Sequence, residues 1–127
     1  KGDKRDNLLV GGDGNDHLRG MAGADTLTGG DGKDVFQWMA KDIVFEGSHL
    51  GVDTITDFSV KDGDVLDLSK VIDGSPEQVG DVVHLTETKE GTMVSVKIGD
   101  SFADVVFLQD AHGLSVNELA HDGLLLV

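Results

Sequence analysis

The stretch that decides the fold is GGDGNDHLRGMAGADTLTGGDGKDVFQ, residues 11–37, in which one pattern returns every nine residues. Within each unit the first and fourth positions are glycine, the sixth is aspartate and the eighth is a large apolar residue. The units begin at Gly11, Gly20 and Gly29, and a looser copy begins at Gly2 with asparagine at its sixth position. A short fixed period of this kind indicates stacked structural repeats.

Each recurring position has a physical role. The glycines allow positive φ and close approach, so a six-residue turn can direct its carbonyl oxygens inward. The three residues after the turn form a short strand whose eighth-position side chain points inside; these side chains are Leu9, Leu18, Leu27 and Phe36. Two units make one coil of 18 residues, so alternate turns stack on the same side, about 4.8 Å apart. The pattern predicts an all-β chain that begins with a parallel β-roll over residues 1–37.

The stacked sixth-position side chains require a cation. Asp16 and Asp34 are 18 residues apart, as are Asn7 and Asp25, so each pair lies on one side of the roll. Carboxylates this close repel each other unless a hard cation with oxygen ligands lies between them. Flexible sites rich in carbonyl groups suit Ca²⁺ better than Mg²⁺, which demands strict octahedral geometry. The sequence therefore predicts calcium between the stacked turns.

The composition agrees with a turn-rich, metal-binding chain. The 127 residues carry a net charge of −14, and 19 aspartates stand against 5 glutamates. Solvated helices would favour glutamate, whereas turns and metal sites favour aspartate. The acidity argues against nucleic acid as a partner, and no apolar run approaches the roughly 20 residues of a membrane span. The absence of cysteine excludes disulfides and thiolate zinc sites.

Flexible linkers, phosphate-binding loops and EF-hands are also rich in glycine, but none of them fits these residues. A flexible Gly/Asp linker has no reason to keep an apolar residue at every eighth position. The stretch GGDGKD lacks the spacing and the Ser/Thr of a P-loop, and residues 12–17 lack the third glycine of a dinucleotide fingerprint. An EF-hand starting at Asp13 or Asp62 would lack its sixth-position glycine.

The nonapeptides resemble those of the RTX family of proteins, which are exported by type I secretion systems. The resemblance covers residues 2–37 and implies that calcium takes first- and third-position carbonyls from one turn, second- and fourth-position carbonyls from the other, and both sixth-position side chains. One side would then use Gly11, Asp13 and Asp16 with Gly30, Gly32 and Asp34, and the other Gly2, Lys4 and Asn7 with Met21, Gly23 and Asp25. The candidate metal ligands within the repeats also include Gly20, Ala22, Gly29 and Asp31.

Beyond Trp38 the nine-residue period stops. The segment VDTITDFSVKDGDVLDLS (52–69) resembles the D-x-I-x-D-F…D-x-L-D-L-S segment of RTX exoproteins, which caps the roll and donates further ligands. The resemblance makes Asp53 and Asp57 candidate calcium ligands, although Asp53 is equally a plain strand-edge carboxylate. Asp67 is as readily a structural turn or cap residue. Nothing in the spacing decides whether Asp42 and Glu46 contribute.

The rest of the chain predicts a capping, β-sandwich-like region with two short helices over residues 38–127. Capping boxes at 75–78 (SPEQ) and 114–119 (LSVNEL) start the helices, and Gly123 ends the second. Residues 81–98 read as a hairpin that turns at Glu90–Gly91. Strands are predicted at 103–108 and 124–127.

This order of elements resembles the C-terminal secretion-target region of very large RTX adhesins, over roughly 38–127. The resemblance implies a secreted, monomeric, non-catalytic module that folds with calcium and whose unfolded C-terminal segment is read by the exporter. The lack of an initiator Met and of a signal peptide indicates a fragment of a longer chain. The alternative is the RTX tail of a secreted protease, lipase or toxin with its catalytic domain upstream, since neither H-E-x-x-H nor G-x-S-x-G occurs here.

Overall fold

The computed structural model describes residues 6–21, 23–39, 44–45, 48–49, 51–71, 79–98 and 101–126. The strands are β1 (Leu8–Val10), β2 (His17–Leu18), β3 (Thr26–Thr28), β4 (Val35–Met39), β5 (Val44–Phe45), β6 (Ser48–His49), β7 (Asp53–Ile55), β8 (Val65–Lys70), β9 (Val83–Glu87), β10 (Gly91–Ile98), β11 (Ser101–Gln109) and β12 (Leu125–Leu126). A 3₁₀ turn spans Val79–Asp81, and helix α1 spans Val116–His121. The described chain is therefore mostly β.

Two sheets face each other, and successive strands of the repeat alternate between them. The larger sheet has the order β1-β3-β7-β11-β10-β9, and the smaller has the order β2-β4-β8-β12. In the larger sheet, β1, β3, β7 and β11 pair in parallel, and β10 and β9 then add in antiparallel fashion. In the smaller sheet, all pairings are parallel. This is the two-sheet arrangement of a roll, extended at its C-terminal end.

The register between strands follows the period of the sequence. Leu9 lies opposite Leu27, and Leu18 lies opposite Phe36, an offset of 18 residues in both sheets. Side chains alternate in a strand, so the eighth-position residues Leu18, Leu27 and Phe36 are buried. The predicted 18-residue coil is the coil that the strands form.

Both sheets continue past the last nonapeptide. Strand β7 pairs with β3 through Leu27 and Ile55, and β8 pairs with β4 through Phe36 and Leu66. Strands β11 and β12 then extend the two sheets by one more layer. The predicted boundary between residues 37 and 38 falls inside β4, and the division into two domains stays a prediction.

One apolar core runs through the roll and the C-terminal elements. It includes the eighth-position residues together with large side chains from every later layer; its fully buried members include Leu27, Phe36, Trp38, Ile55, Leu66, Leu68, Val83, Val94, Val96, Val105, Val106 and Leu108. Leu119 of α1 and Leu125 of β12 join the same cluster. The C-terminal elements are therefore packed on the coil that the repeats begin.

Several elements predicted for the second half are present. The hairpin pairs β9 with β10 through Thr92 and Glu87, and Ser115 caps α1 by accepting a hydrogen bond from the Glu118 N–H at 3.4 Å. Gly123 has φ +77° and ends the helix, its N–H donating to the Ala120 carbonyl at 3.2 Å. The other predicted helix start, 75–78, lies outside the described residues.

The predicted sandwich-like cap with two helices is not confirmed. Among the described residues there is one short α-helix, and the later strands extend the two roll sheets because their apolar faces continue the same core. Within the same ranges, no helix has the length and apolar character needed to cross a membrane.

Candidate metal centre

The turns between the strands take the left-handed backbone that their glycines permit. Gly12 and Gly14 have φ of +92° and +95°, and Gly30 and Gly32 have φ of +86° and +102°. Met21 occupies the same conformation, with φ +72°, at a second position where the other two units have glycine. This backbone turns peptide planes out of the sheet, so carbonyl oxygens can point along the stack.

The first-position glycines make room for a carboxylate. A Cβ on Gly11 would stand 2.5 Å from Oδ2 of Asp16, and a Cβ on Gly29 or Gly20 would collide with Oδ2 of Asp34 or Asp25. Each sixth-position carboxylate is therefore folded back over the start of its own turn. Only glycine leaves that space open.

Carbonyl oxygens of the two stacked turns point toward each other. The Gly14 carbonyl oxygen lies 2.5 Å from the position of a Cβ on Gly32, and the Gly12 carbonyl lies similarly against Gly30. In the opposite direction, the Gly29 carbonyl oxygen lies 2.7 Å from the position of a Cβ on Gly11. The second- and fourth-position carbonyls of the turn 11–16 thus lie against the turn 29–34. The first-position carbonyl of the turn 29–34 lies against the turn 11–16.

The carbonyl assignment that the resemblance implied stays a prediction. In the structure, the carbonyl oxygens of Gly12 and Gly14 lie against the later turn, and that of Gly29 lies against Gly11 of the earlier turn. The spacing of a repeat fixes which turns meet, but it does not fix which way each peptide plane points. Asp13 and Asp31 are both exposed in the structure.

The sixth-position carboxylates form a hydrogen-bonded column on each side. On one side, Oδ1 of Asp34 accepts from the Asp16 N–H at 2.9 Å, and Oδ1 of Asp64 accepts from the Asp34 N–H at 2.9 Å. On the other, Oδ1 of Asp25 accepts from the Asn7 N–H at 2.7 Å, and Oδ1 of Asp53 accepts from the Asp25 N–H at 2.8 Å. In each pair, Oδ1 of the later carboxylate therefore joins two neighbouring layers through a hydrogen bond.

The second oxygen of the Asp16 and Asp34 carboxylates has no such use. Oδ2 of each is buried and has no hydrogen-bond partner among the described residues. An unsatisfied buried carboxylate oxygen is costly, and a cation beside it removes that cost. Together with the facing carbonyls of Gly12, Gly14 and Gly29, these two oxygens form a donor set of oxygens alone, which fits Ca²⁺.

Carboxylates are few at any one point of the described chain. No group of three or more His, Asp or Glu side chains converges there in a way that could hold a metal. A cation between the turns would depend on main-chain oxygens for most of its coordination. Ca²⁺ accepts six to eight oxygen ligands, backbone carbonyls included.

The pKa values of three buried column carboxylates, Asp34, Asp53 and Asp64, are raised above their ordinary value. Burial, followed by the nearby charges of Asp64 and Asp16, raises the pKa of Asp34 to about 6. Burial, followed by the charge of Asp25, raises the pKa of Asp53 to about 7, and burial also raises the pKa of Asp64. The ionised columns are thus unfavourable until a positive charge compensates them.

The candidates beyond the repeat have protein partners. Asp53 also accepts from the Trp38 indole at 2.7 Å, and Asp57 accepts from the N–H groups of Gly29 and Gly30 at 2.9 and 2.8 Å. Asp67 accepts from the Ser69 N–H and hydroxyl at 3.1 and 2.6 Å, as a structural residue does. The predicted positions Gly2, Lys4, Ala22, Asp42 and Glu46 lie outside the described residues.

Sequence reasoning missed Asp64 and the fifth positions. Asp64 lies 30 residues after Asp34, not 18, so the period hides it, but GDVL (63–66) repeats the order of KDVF (33–36). At the fifth positions, Oδ1 of Asn15 accepts from the Lys33 N–H at 2.9 Å, and Oδ1 of Asp6 accepts from the Ala24 N–H at 2.8 Å. These bonds add a second column outside the first.

The comparisons with known proteins agree with this geometry. The family described as RTX calcium-binding nonapeptide repeat (four copies) matches residues 2–36. The chain carries RTX nonapeptide repeats. No curated protein matches the sequence significantly.

Two solved structures are similar to this RTX-bearing chain over most of its length. One is the solution structure of the AlgE6R3 subunit of the Azotobacter vinelandii mannuronan C5-epimerase, with TM-score 0.64 and 26% identity, over 94% of this chain and 66% of that one. The other is the crystal structure of the C-terminal domain (RV) of MpAFP, with TM-score 0.54 and 30% identity, over 86% of this chain and 80% of that one. The present chain therefore spans just under two thirds of the epimerase subunit.

Proposed function

We propose that this chain is a calcium-dependent folding module, and that it binds Ca²⁺ between the turns 11–16 and 29–34. The observation that carries the proposal is the pair of buried, unpartnered Oδ2 atoms of Asp16 and Asp34 beside facing carbonyl oxygens. Calcium supplies the positive charge that compensates these two carboxylate oxygens. The match of residues 2–36 to RTX repeats supports the same ion.

The site couples calcium binding to folding, so that the ion binds when the chain folds and leaves when it unfolds. Asp16 and Asp34 belong to different coils, and their carboxylates meet only when β2 pairs with β4. In the unfolded chain these ligands are scattered, so the free energy of binding becomes free energy of folding. The glycines raise the entropic cost of folding, and the net charge of −14 opposes compaction. The ion offsets both.

We propose further that this linkage serves export from a bacterial cell. Low free calcium inside the cell leaves the chain unfolded, so a type I exporter can thread it; high calcium outside closes the turns and prevents return. Strand β12 pairs with β8 in the fold, so an exporter that reads the C-terminal segment must read it before folding. The expected setting is the C-terminal region of a secreted or cell-surface adhesin, monomeric and without catalysis of its own.

The second candidate is a module attached to a secreted enzyme. The similarity to a subunit of a mannuronan C5-epimerase favours this setting, because that protein is an enzyme. The role of the present residues is the same in both settings, namely calcium-linked folding. What differs is the upstream domain, which the upstream coding sequence would identify.

The folding proposal is tested by circular dichroism of the full chain with chelator, Mg²⁺ or Ca²⁺. We expect a largely disordered spectrum in chelator, a β-rich spectrum in calcium and a weak response to magnesium. The spectrum of the Asp31→Asn variant should respond as the parent does, because Asp31 is exposed and asparagine keeps the main-chain carbonyl. A native spectrum in chelator, unchanged by calcium, contradicts the proposal.

The export proposal is tested by secretion of a fused passenger. Deletion of residues 115–127 should abolish secretion, whereas replacement of Asp16, Asp25 and Asp34 together should slow secretion and leave a protease-sensitive product. Passenger in the medium is compared with passenger in cells, with calcium varied. Normal secretion after the deletion contradicts the role in export and leaves calcium binding standing.

A further inference from the structure

The two carboxylate columns end in a layer that differs from the nonapeptides. We call this layer the third rung; it consists of Asp53, which stacks on Asp25, and Asp64, which stacks on Asp34. Both side chains are buried, with 3% and 1% of their surface exposed. Their Oδ1 atoms repeat the hydrogen bond of the layers below, but their Oδ2 atoms do not repeat the situation found at Asp16 and Asp34.

At Asp53 a side-chain donor occupies the second oxygen. The indole Nε1–H of Trp38 donates to Asp53 Oδ2 at 2.7 Å, and Trp38 is only 1% exposed. An indole N–H is a donor only and cannot ligate a cation. Its hydrogen therefore takes one lone-pair position of Oδ2 and brings to that oxygen the partial positive charge that an ion would otherwise supply. Moving this indole away would disrupt a close-packed core.

At Asp64 a main-chain donor has the same role. The Ser59 N–H donates to Asp64 Oδ2 at 2.9 Å, across the turn that joins β7 to β8. In the same turn, the Asp57 carboxylate accepts from the N–H groups of Gly29 and Gly30. The loop 56–64 thus meets the turn 29–34 through protein hydrogen bonds. Between the turns 11–16 and 29–34, by contrast, the Oδ2 atoms of Asp16 and Asp34 have no hydrogen-bond partner among the described residues.

We propose that Asp53 and Asp64 bind no calcium, because protein donors take the place of the ion at the third rung. Calcium binding then ends at the nonapeptides, because the N–H groups of Trp38 and Ser59 take the place of the next ions. This inference rests on the proposed function, since it concerns where calcium binding stops.

The first test counts the calcium ions bound per chain by isothermal titration of the full protein and of three variants. Asp34→Asn should bind one ion fewer than the parent. Asp53→Asn and Asp64→Asn, which lose the same charge from the same columns and keep an acceptor oxygen, should bind the parental number once calcium has folded them. Loss of an ion from either third-rung variant overturns this inference alone. A parent chain that takes up no calcium contradicts the proposed function itself.

The second test needs no substitution. Trp38 is the only tryptophan, so the chain has one indole N–H signal. In the calcium-saturated protein its hydrogen should exchange with solvent at least about 100-fold more slowly than in an exposed indole, because it stays bonded to Asp53. Exchange at the exposed rate under saturating calcium would mean that the oxygen has been released to an ion, and it would overturn the inference.

Discussion

At the scale of the residue, the two oxygens of the Asp34 carboxylate have separate roles. In Asp34, Oδ1 accepts the Asp16 N–H and joins two coils, while Oδ2 is buried and has no hydrogen-bond partner in the part of the chain that the structure describes. The third position of the same turn, Asp31, has an exposed side chain. Asp31 and Asp34 are thus two aspartates of one turn, one exposed and one buried. They form a matched pair for substitution.

The Asp34→Asn substitution should raise the calcium concentration at the folding midpoint by about tenfold or more, roughly 1.4 kcal/mol. The reason is the loss of one formal charge and one anionic ligand from the site. The control Asp31→Asn removes the same charge from the same turn and should shift the midpoint by less than about twofold. Calcium titrations followed by Trp38 fluorescence measure both midpoints.

Combining Asp16→Asn with Asp34→Asn should cost less than the sum of the single changes. Both carboxylates are assigned to one ion, and partners in one site are not additive. The same calcium titration, carried out on the two single variants and the double variant, completes the cycle. Strictly additive shifts would show that these residues, 18 apart, do not share a site.

Without calcium, the chain should lose stability as the pH rises from about 4 to about 7. The folded-state pKa values of Asp34 and Asp53, about 6 and about 7, lie above their ordinary value of 3.8. The folded state therefore holds protons that the unfolded state has released, so the free energy of unfolding falls as pH rises through this window. Far-UV circular dichroism in chelator at about pH 4 and about pH 7 compares the folded fraction of the chain at the two ends of this window. A calcium-free chain that is more stable at the higher pH contradicts the assignment.

At the scale of the element, the turn is built around the space that first-position glycines leave for a carboxylate. Replacing Gly29 by alanine puts a methyl group onto Oδ2 of Asp34, which we propose as a calcium ligand. Gly80, in the 3₁₀ turn, has nothing within 4 Å of the position of its Cβ and serves as a control.

The Gly29→Ala variant should fold only at calcium concentrations about tenfold or more above those of the parent, roughly 1.4 kcal/mol. The variant Gly80→Ala should keep the parental midpoint. Circular dichroism during calcium titration compares the two variants. Equal midpoints would show that the carboxylate does not need the space above Gly29.

The strands, the coil and part of the site could be predicted from the sequence. The nine-residue period predicts the register of Leu18 and Phe36, because an 18-residue coil has one way to stack its inward side chains. The direction of the carbonyls could not be predicted, because peptide orientation in a turn leaves no trace in the spacing. Asp64 was missed because its loop is longer, and the bond of Trp38 to Asp53 joins residues 15 apart that have no shared period.

At the scale of the whole molecule, repeats and C-terminal elements share one core. Strand β12 lies in the same sheet as β2 and β4, and Leu125 is buried in the cluster that contains Leu18. Leu126, its neighbour, is 42% exposed. A change near the C-terminus should therefore affect calcium-dependent folding although it lies far from the ion along the sequence.

The Leu125→Ala substitution should destabilise the calcium-bound fold by about 2–4 kcal/mol, because it leaves a cavity in this core. By linkage it should also raise the calcium midpoint. The control Leu126→Ala removes the same atoms from a half-exposed position and should cost about 0.5 kcal/mol or less. Denaturant unfolding in saturating calcium measures both. A Leu125→Ala variant with parental stability would show that the C-terminal strand is not part of the core.

The central claim, that calcium binding is folding energy for this chain, is tested most directly by measuring the free energy of unfolding against free calcium concentration. Above the dissociation constant, linkage predicts a gain of about 1.4 kcal/mol for each tenfold rise in calcium and each ion bound. The parent chain should follow such a slope, and the chain with Asp16 and Asp34 both replaced by asparagine should follow a slope smaller by one ion. A free energy of unfolding that stays constant as calcium rises would contradict the account.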